Sequence, residues 1–418
     1  MGVIDRRILV LALARFADTI GNGILVVLIP AYLTSGFVSL SFNIFEFGFT
    51  EATLVGVSVS TYALVSAGTQ RYAGRLSDWF AYRKGFVALG LALIGGADFL
   101  YPFVGGFPGI VLLRAVQGLG AALSLPASMA IVNEFTKAGD RGGDIGLFNA
   151  VRLSGYVVGP LVAGGILSGG PYAVPLSDGA ISVSRFALAF VVAGSVVAVS
   201  ILLVALFVPE PDEQMSRERS SLSLRVFGNQ QLFHPIFALG ATTFLLSVTV
   251  DLFVPIQRLV NQRLGQSQAM FSAEYAALMI AVIVLLIPAG KASDRFGRRV
   301  FILAGAAALT PAVFVQAYIT SPVLMVAARF LQGGALAIAF SPSLAFAGDL
   351  ANAGESGSWL AIITTTYGLG RACGPLVGGV LGDISYQLPF FVGSVLALVA
   401  LGLVVTQVKK PANSADTV

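Results

Sequence analysis

Charge is scarce in this chain. Asp, Glu, Lys and Arg make up only 11% of its 418 residues, whereas a soluble domain carries about 25%. Hydrophobic residues make up 56%. A soluble protein of this size could not bury so much apolar surface. The composition therefore argues against a soluble domain and indicates that lipid surrounds most of the chain.

Cysteine and histidine are almost absent, with one of each, Cys373 and His234. A single cysteine excludes an intrachain disulfide, and the two residues together cannot build a zinc site of the usual kind. The chain also lacks a Gly-x-x-x-x-Gly-Lys-Ser/Thr nucleotide loop and a basic run with interleaved aromatics. We therefore expect no metal, no cofactor, no enzymatic activity and no nucleic-acid partner.

Long apolar runs are what the chain has instead. A membrane-spanning helix needs about 20 mostly apolar residues, and twelve such runs occur. They lack the two-residue alternation of a membrane barrel, so the predicted fold is all-α. The runs lie at residues 8–32, 53–73, 85–103, 109–134, 144–168, 185–207, 232–256, 270–290, 299–319, 322–347, 357–381 and 387–407.

A long charged stretch separates the runs into two sets of six. It contains Pro, Glu, Asp, Arg and Ser, a composition typical of a linker. The predicted organisation is an N-terminal six-helix bundle at 1–207, a cytoplasmic linker at 208–229, a C-terminal six-helix bundle at 230–408 and a cytoplasmic tail at 409–418.

The distribution of Lys and Arg predicts the orientation. If the N-terminus is inside, the loops on the outer side hold only Arg185, Arg258 and Arg263, and all other loop Lys and Arg residues lie inside. Cytoplasmic loops of membrane proteins carry such an excess. The sequence thus predicts a multi-pass protein of the cell membrane with both termini in the cytoplasm.

Three motifs of the first half recur in the second half, in the same order and about 215 residues later. Three repeats at one offset are very improbable by chance, so the chain is a duplicated membrane domain. Such duplication is typical of proteins whose halves rock about a shared site. The pairs are Gly74–Asp78 with Gly290–Asp294, Arg114–Gln117 with Arg329–Gln332, and Gly159–Pro160 with Gly374–Pro375.

These motifs resemble those of the major facilitator superfamily, and within it the twelve-span drug–proton antiporters. The resemblance covers nearly the whole chain. It implies two pseudo-symmetric six-helix bundles that work by alternating access. It also implies a small-molecule substrate that is exported in exchange for protons. The sequence does not indicate the oligomeric state, and a monomer is the default expectation.

The fifth span carries the motif that the resemblance links to export. Its glycines form a smooth face for close packing against another helix, and its proline favours a kink. One glycine of the family pattern is replaced by Ala163. An ordinary small-residue helix interface is compatible with the same pattern. The motif residues are Gly146, Gly155, Gly159, Pro160 and Gly164, with Gly374 and Pro375 in the second copy.

The loops after the second and eighth spans resemble the family's inner latch, a Gly and an Asp followed by basic residues. Gly74 is expected to allow a tight exit from its helix, and the acids are expected to pair with loop arginines. The alternative is that these loops only follow the positive-inside rule. The predicted inner gate comprises Gly74, Asp78, Arg83, Glu134, Arg141, Gly290, Asp294, Arg298 and Asp349.

The first span carries Arg15, Asp18 and Asn22, whose spacing places them on one helix face. Asp18 lies about 15 Å of helix rise into the span, near the membrane middle. Ionisable residues at that depth are functional by default, so Asp18 is the predicted proton carrier. The alternative is that it only neutralises Arg15.

Other polar residues inside the spans complete the predicted cavity. Arg152 and Arg371 could bind an anionic substrate, which would argue against a purely cationic specificity. Arg114 could instead snorkel to the outer interface. Asp98 and Asp251 are expected at the mouth or at an interface. The cavity set beyond the first span is Arg114, Gln117, Asn149, Arg152, Arg329 and Arg371.

Two further functions stay open at this point. An uptake carrier or symporter would share the fold, and one motif cannot settle the direction of transport. A receptor that transports nothing is the other alternative, although the repeated charges inside the spans speak against it.

Overall fold

The structure is a computed structural model. It describes residues 6–38, 43–44, 47–48, 50–80, 82–136, 141–176, 179–210, 234–350 and 356–408. Most of the predicted linker 208–229 and the whole tail 409–418 lie outside these residues.

Thirteen α-helices and two short 3-10 helices form nearly all of the described chain. The α-helices are α1 Arg6–Leu33, α2 Glu51–Phe80, α3 Arg83–Leu100, α4 Phe107–Phe135, α5 Arg141–Ser168, α6 Arg185–Phe207, α7 Pro235–Asp251, α8 Gln257–Leu264, α9 Gln268–Phe296, α10 Arg298–Phe314, α11 Pro322–Leu350, α12 Ser356–Ile384 and α13 Leu388–Gln407. The 3-10 helices, Tyr101–Phe103 and Val315–Ala317, extend α3 and α10.

Each of the twelve predicted spans contains one long helix. Within the described residues, ten helices are long and apolar enough to cross a membrane by length and composition. The seventh span is shorter than predicted, because α7 ends at Asp251 and not at residue 256. Pro255 lacks a backbone N–H and disfavours helix at the residue before it. The chain turns there and continues as the separate short helix α8.

Two antiparallel hairpins lie in the loops after α1 and α5, where the sequence analysis predicted no strands. The first pairs β1 Asn43–Ile44 with β2 Phe47–Gly48. The second pairs β3 Tyr172–Leu176 with β4 Gly179–Val183. Both loops join helices at the same end of the bundle, which we call the hairpin end. The opposite end, where Arg83 and Arg298 begin their helices, is called the arginine-rich end.

The helices form two bundles of like design, as the sequence predicts. In the first bundle α1 packs on α5 and α6, and α4 packs on α2 and α3. In the second, α7 packs on α12 and α13, and α11 packs on α9 and α10. The bundles meet chiefly through two helix pairs, α2 with α12 and α5 with α9. The all-α fold of two pseudo-symmetric six-helix bundles is therefore confirmed.

The glycines of the repeated Gly-Pro motif hold the helices of each half together. A Cβ on Gly155 would lie 2.7 Å from the backbone O of Phe16, and one on Gly159 would lie 2.4 Å from the O of Ile20. In the second half, a Cβ on Gly370 would lie 2.4 Å from the backbone O of Phe244. Only glycine permits such close backbone approach. Gly146, by contrast, has no atom within 4 Å of its would-be Cβ.

The last glycine of each motif faces the other half. A Cβ on Gly164 of α5 would lie 2.5 Å from Ser272 Oγ of α9. At the equivalent position of α12, a Cβ on Gly379 would lie 2.4 Å from the O of Ala52 in α2. One motif thus packs helices within each half and also joins the two halves.

Polar contacts join the halves at the hairpin end. Asp383 accepts bonds from the backbone N and the Oγ1 of Thr53, at 3.1 and 2.5 Å. The Ala269 backbone N donates to Ser168 Oγ at 3.2 Å. Two further contacts are Gln257 Nε2 to Val27 O at 3.2 Å and the Arg258–Glu51 ion pair. Between described residues, every hydrogen bond and ion pair that links the halves lies at this end, so the halves are held closed there.

The substitution Gly56→Leu is expected to hold the two halves apart at the hairpin end. A Cβ at this position would lie 2.4 Å from Pro375 O, and a helical carbonyl cannot move away without losing its own packing. Closure can be measured by disulfide crosslinking of the Ser168→Cys, Ala269→Cys pair in a Cys373→Ser background. We expect severalfold less crosslinking with Gly56→Leu.

The matched control is Gly68→Leu in the same helix, because no atom lies within 4 Å of a Cβ there. Its crosslinking should equal that of the parent. Equal crosslinking of the Gly56→Leu and Gly68→Leu proteins would show that the α2–α12 contact does not govern closure.

Candidate functional site

The predicted polar face of α1 is assembled inside the first half. Arg15 Nη1 lies 3.1 Å from Asp18 Oδ2 and donates to Ser124 Oγ of α4 at 3.0 Å. Asn22 Nδ2 approaches Asp18 Oδ1 at 3.5 Å. Arg15 and Asp18 are only 4% and 1% exposed. Asp18 therefore neutralises Arg15 in this conformation and is not open to the cleft between the halves.

Arg114 anchors a second buried network. Its Nη1 donates to Gln117 Oε1 at 3.1 Å, and Tyr101 OH donates to the same oxygen at 2.9 Å. Gln117 Nε2 in turn donates to Asp98 Oδ1 at 2.7 Å. The Arg114 guanidinium also stands over the Tyr62 ring, 4.7 Å from its centroid. The chain of bonds connects Arg114 to Asp98 through one glutamine.

Two sequence-based expectations about this network are corrected. Asp98, expected at the mouth or at an interface, is fully buried at the interface of α3 with α4 and not at the mouth. Arg114 is 5% exposed and turned into the bundle, so it does not snorkel to the interface. The physical reason is shared: each charge gains more from a buried polar partner on a neighbouring helix than from a distant headgroup region.

The second half repeats the network with one substitution. Arg329 Nη1 donates to Gln332 Oε1 at 2.7 Å, and Gln316 Nε2 donates to the same oxygen at 3.0 Å. Gln316 thus takes the place of Tyr101. The Arg329 guanidinium lies 4.0 Å from the centroid of the Phe253 ring.

Glu274 of α9 supplies the carboxylate near Arg329. It is fully buried, and neither of its carboxylate oxygens has a hydrogen-bond partner among the described residues. The charge of Arg329 lies within electrostatic range. Glu274 is not among the site residues predicted from sequence, although an acid inside the predicted span 270–290 is the same signal that singled out Asp18.

Arg371 of α12 has its own carboxylate. Its Nε lies 2.8 Å from Asp251 Oδ2, and its Nη2 lies 3.5 Å from Asp251 Oδ1. The Asp251 side chain is 4% exposed and that of Arg371 is 31% exposed. Asp251 is therefore an interior partner of Arg371, and the arginine keeps part of its surface open.

Arg152 of α5 has a different environment. Its Nη2 donates to Asn149 Oδ1 at 3.3 Å, and its buried Nε has no partner. No described carboxylate lies within ion-pair distance of Arg152, although Asp18 is within electrostatic range. The predicted cavity residues Asn149 and Arg152 thus lie together, and Arg152 forms no ion pair with a described carboxylate.

Helices α5 and α12 each carry an arginine and a tyrosine four residues apart. Arg152 and Tyr156 follow each other by one turn in α5, and Tyr367 and Arg371 do so in the reverse order in α12. Both Arg152 and Tyr156 lie within electrostatic range of Tyr367. The spacing of four between Tyr367 and Arg371 predicts that they share a helix face toward the cavity. Tyr156 was not among the predicted residues, although it has the same spacing from Arg152.

The arginine-rich end carries ion pairs within each half. Arg83 pairs with Glu134 in the first half. In the second, Arg298 pairs with Asp294 at 3.2 Å and also with Asp349. The side chains of the predicted gate residues Asp78 and Arg141 lie outside the described residues. Gate function for this cluster stays a prediction.

The expected role of Gly74 as a helix exit is wrong. Helix α2 continues past it to Phe80, since the segment that follows retains apolar residues that prolong the helix. A Cβ on Gly74 would lie 3.9 Å from Pro126 of α4, and one on the equivalent Gly290 would lie 2.8 Å from Ser341 Oγ. These glycines face packing partners inside helices.

The family model of the Major Facilitator Superfamily matches residues 11–259 and 239–417. Together these ranges cover almost the whole chain. Two repeated six-helix bundles with charged interiors define a membrane transport protein, and the chain belongs to the Major Facilitator Superfamily. It is a multi-pass membrane transporter and not an enzyme.

Curated relatives include drug-resistance proteins. Multidrug resistance protein 2 of Bacillus subtilis is 22% identical over 408 residues, which is 96% of this chain and 94% of the relative. The class B tetracycline resistance protein of Escherichia coli is 25% identical over 182 residues, 42% of this chain and 44% of the relative.

Solved structures share the fold. A bacterial homologue of the human lysosomal transporter Spinster superposes with a TM-score of 0.76 at 15% identity, over 97% of this chain and 98% of that one. The nucleoside transporter NupG gives a TM-score of 0.75 at 13% identity, over 97% and 100% of the two chains.

Replacement of Gln117 by leucine is expected to destabilise the first half. The change removes the hydrogen-bond partner of Asp98 Oδ1 and of Tyr101 OH and one of the partners of Arg114. Each buried polar group left unsatisfied costs about 1–3 kcal/mol. The midpoint of thermal unfolding in detergent should fall clearly. Gln70→Leu serves as the control, because Gln70 forms no hydrogen bond with a described residue. An unchanged midpoint for Gln117→Leu would contradict the network.

Proposed function

We propose that this protein exports small amphipathic compounds by alternating access, in exchange for protons. The observation that carries the proposal is the arrangement of the halves, which are sealed at one end around buried charges of both. Two bundles of like design can rock about such a centre. The whole-length similarity to a multidrug resistance protein supports export.

The proposed orientation follows the loop charges. Lys and Arg concentrate at the arginine-rich end, which we place in the cytoplasm. The closed hairpin end then faces outward, and the conformation described here would receive substrate from the cytoplasm. The predicted termini at residues 1 and 418 are cytoplasmic in this orientation.

Asp18 is the proposed proton site. It is the carboxylate of the first half that lies close to both Arg15 and Arg152. Helices α1 and α5 are packed through Gly155 and Gly159, so Asp18, Arg15 and Arg152 stay together when the halves rock. Rocking would instead change the access of this cluster to the cleft between the halves. Exchange requires that a proton on Asp18 and a bound substrate exclude each other.

A second candidate function is cotransport of an anion with a proton. It is favoured by Arg152, which no carboxylate compensates. A proton on Asp18 removes a negative charge near that arginine, so an anion and a proton would assist each other's binding. Mutual assistance is the basis of symport, whereas competition is the basis of exchange.

Proton movement on substrate addition distinguishes the two candidates. Purified protein in a weakly buffered solution should release protons when a substrate is added under exchange, and take them up under cotransport. The substrate is first found by dye efflux or growth protection with the native chain. Efflux that is insensitive to an imposed proton gradient would contradict both candidates.

Asp18→Asn is expected to abolish the proton change, because the amide cannot carry the proton. Glu210→Gln is the matched control. It removes a carboxylate outside the helices, where Glu210 accepts from the Lys84 backbone N at 3.2 Å. A proton signal of full size in the Asp18→Asn protein would remove Asp18 from the mechanism.

A further inference from the structure

The charges inside the helix bundles do not balance. Among the described residues, five arginines and four carboxylates lie in the middle of the spans. Asp18 is within electrostatic range of Arg152 but is in ion-pair contact with Arg15, so four arginines can each be assigned one carboxylate and one arginine is left over. The charges are Arg15 with Asp18, Arg114 with Asp98, Arg329 with Glu274, Arg371 with Asp251, and Arg152 alone. Arg152 is the excess cation.

A structural role does not explain Arg152. Its hydrogen-bond partner among the described residues is the neutral side chain of Asn149, and its Nε is buried without a partner. An arginine held in a bundle for stability would be expected to have a carboxylate, because an unpaired buried charge is costly. The guanidinium fork is suited to bind two oxygens of one anionic group.

Aromatic side chains surround this arginine. Tyr62, Tyr156 and Tyr367 lie within electrostatic range of Arg152. The Tyr367 ring packs on Phe340 with centroids 4.3 Å apart. Tyr62, Tyr156, Tyr367 and Arg152 are half-buried, so part of each surface is open. Flat apolar molecules favour such rings, and this region therefore combines a cation with partly open aromatic rings within electrostatic range.

We propose that Arg152 binds the anionic group of the transported compound, a carboxylate or sulfonate on an aromatic body. The inference rests on the proposed transport function and holds for either direction of transport. Binding of an anion here would also favour cotransport over exchange, because a proton on Asp18 strengthens the attraction.

Equilibrium binding to the full chain in lipid nanodiscs tests the proposal. Three probes of one ring size differ in charge: 2-naphthoate, the neutral 2-naphthamide and the cationic 2-naphthylmethylammonium. The native protein should bind 2-naphthoate about tenfold or more tightly than either of the others. Equal or weaker binding of 2-naphthoate than of the amide would overturn the proposal.

Arg152 variants locate the site. Arg152→Gln should weaken 2-naphthoate binding about tenfold or more and leave 2-naphthamide binding unchanged. Arg152→Lys keeps the charge without the guanidinium fork, so its affinity for 2-naphthoate should lie between that of the native protein and that of Arg152→Gln. Arg6→Gln removes an exposed arginine at the end of α1 and should bind like the native chain. Undiminished 2-naphthoate binding to a folded Arg152→Gln protein would place the anion elsewhere.

The measurement is independent of transport. A native protein that performs dye efflux but binds 2-naphthoate no more tightly than 2-naphthamide would refute the anion site and leave the proposed function standing. A preference for 2-naphthoate in a protein that moves no substrate would refute the transport function and leave the anion site.

Discussion

Compensation of charge inside lipid is the constraint on which the interior of this protein depends. A charge within a membrane-spanning helix must find a partner or a cavity, and here most of them find a partner on another helix. Arg371 meets Asp251 of α7, and Arg114 reaches Asp98 of α3 through Gln117. These contacts fix which helices are neighbours. Arg152 is the exception, and it also lies within electrostatic range of Tyr367 in the other half.

Close backbone packing is the second constraint, and it governs the helix contacts that glycines form. Lipid gives helices no hydrophobic drive to associate, so contact surfaces use small residues. Gly155 and Gly159 bring α5 against α1, while Gly164 and Gly379 bring each half against the other. A single glycine pattern therefore makes each half a firm unit and also forms a surface that can separate. Such a division suits rocking of two rigid bodies.

The two constraints together shape the proposed mechanism. Asp18 is enclosed with Arg15 in the first half, whereas Arg152 lies within electrostatic range of Tyr367 in the second. A substrate that engages Arg152 thus touches the boundary between the halves, and a change in their angle alters what Asp18 and Arg152 experience. Coupling between proton and substrate would then arise from the electrostatic interaction of Asp18 with a group bound at Arg152, two sites that the first half holds together.

The sequence by itself determined the class of fold. Twelve apolar runs, the repeat interval of about 215 residues and the charges inside the spans can all be read from the sequence. In lipid the backbone must satisfy its own hydrogen bonds, and runs of this length without two-residue alternation do so as helices. Tertiary structure alone decided the partners. Spacing along α1 predicted that Arg15 and Asp18 share a face. Nothing in one helix shows that Asp98 turns inward to Gln117, that α7 stops at Asp251, or that Glu274 lies within electrostatic range of Arg329. Those outcomes depend on which helices meet and how closely, since a buried charge is satisfied by whatever lies opposite it.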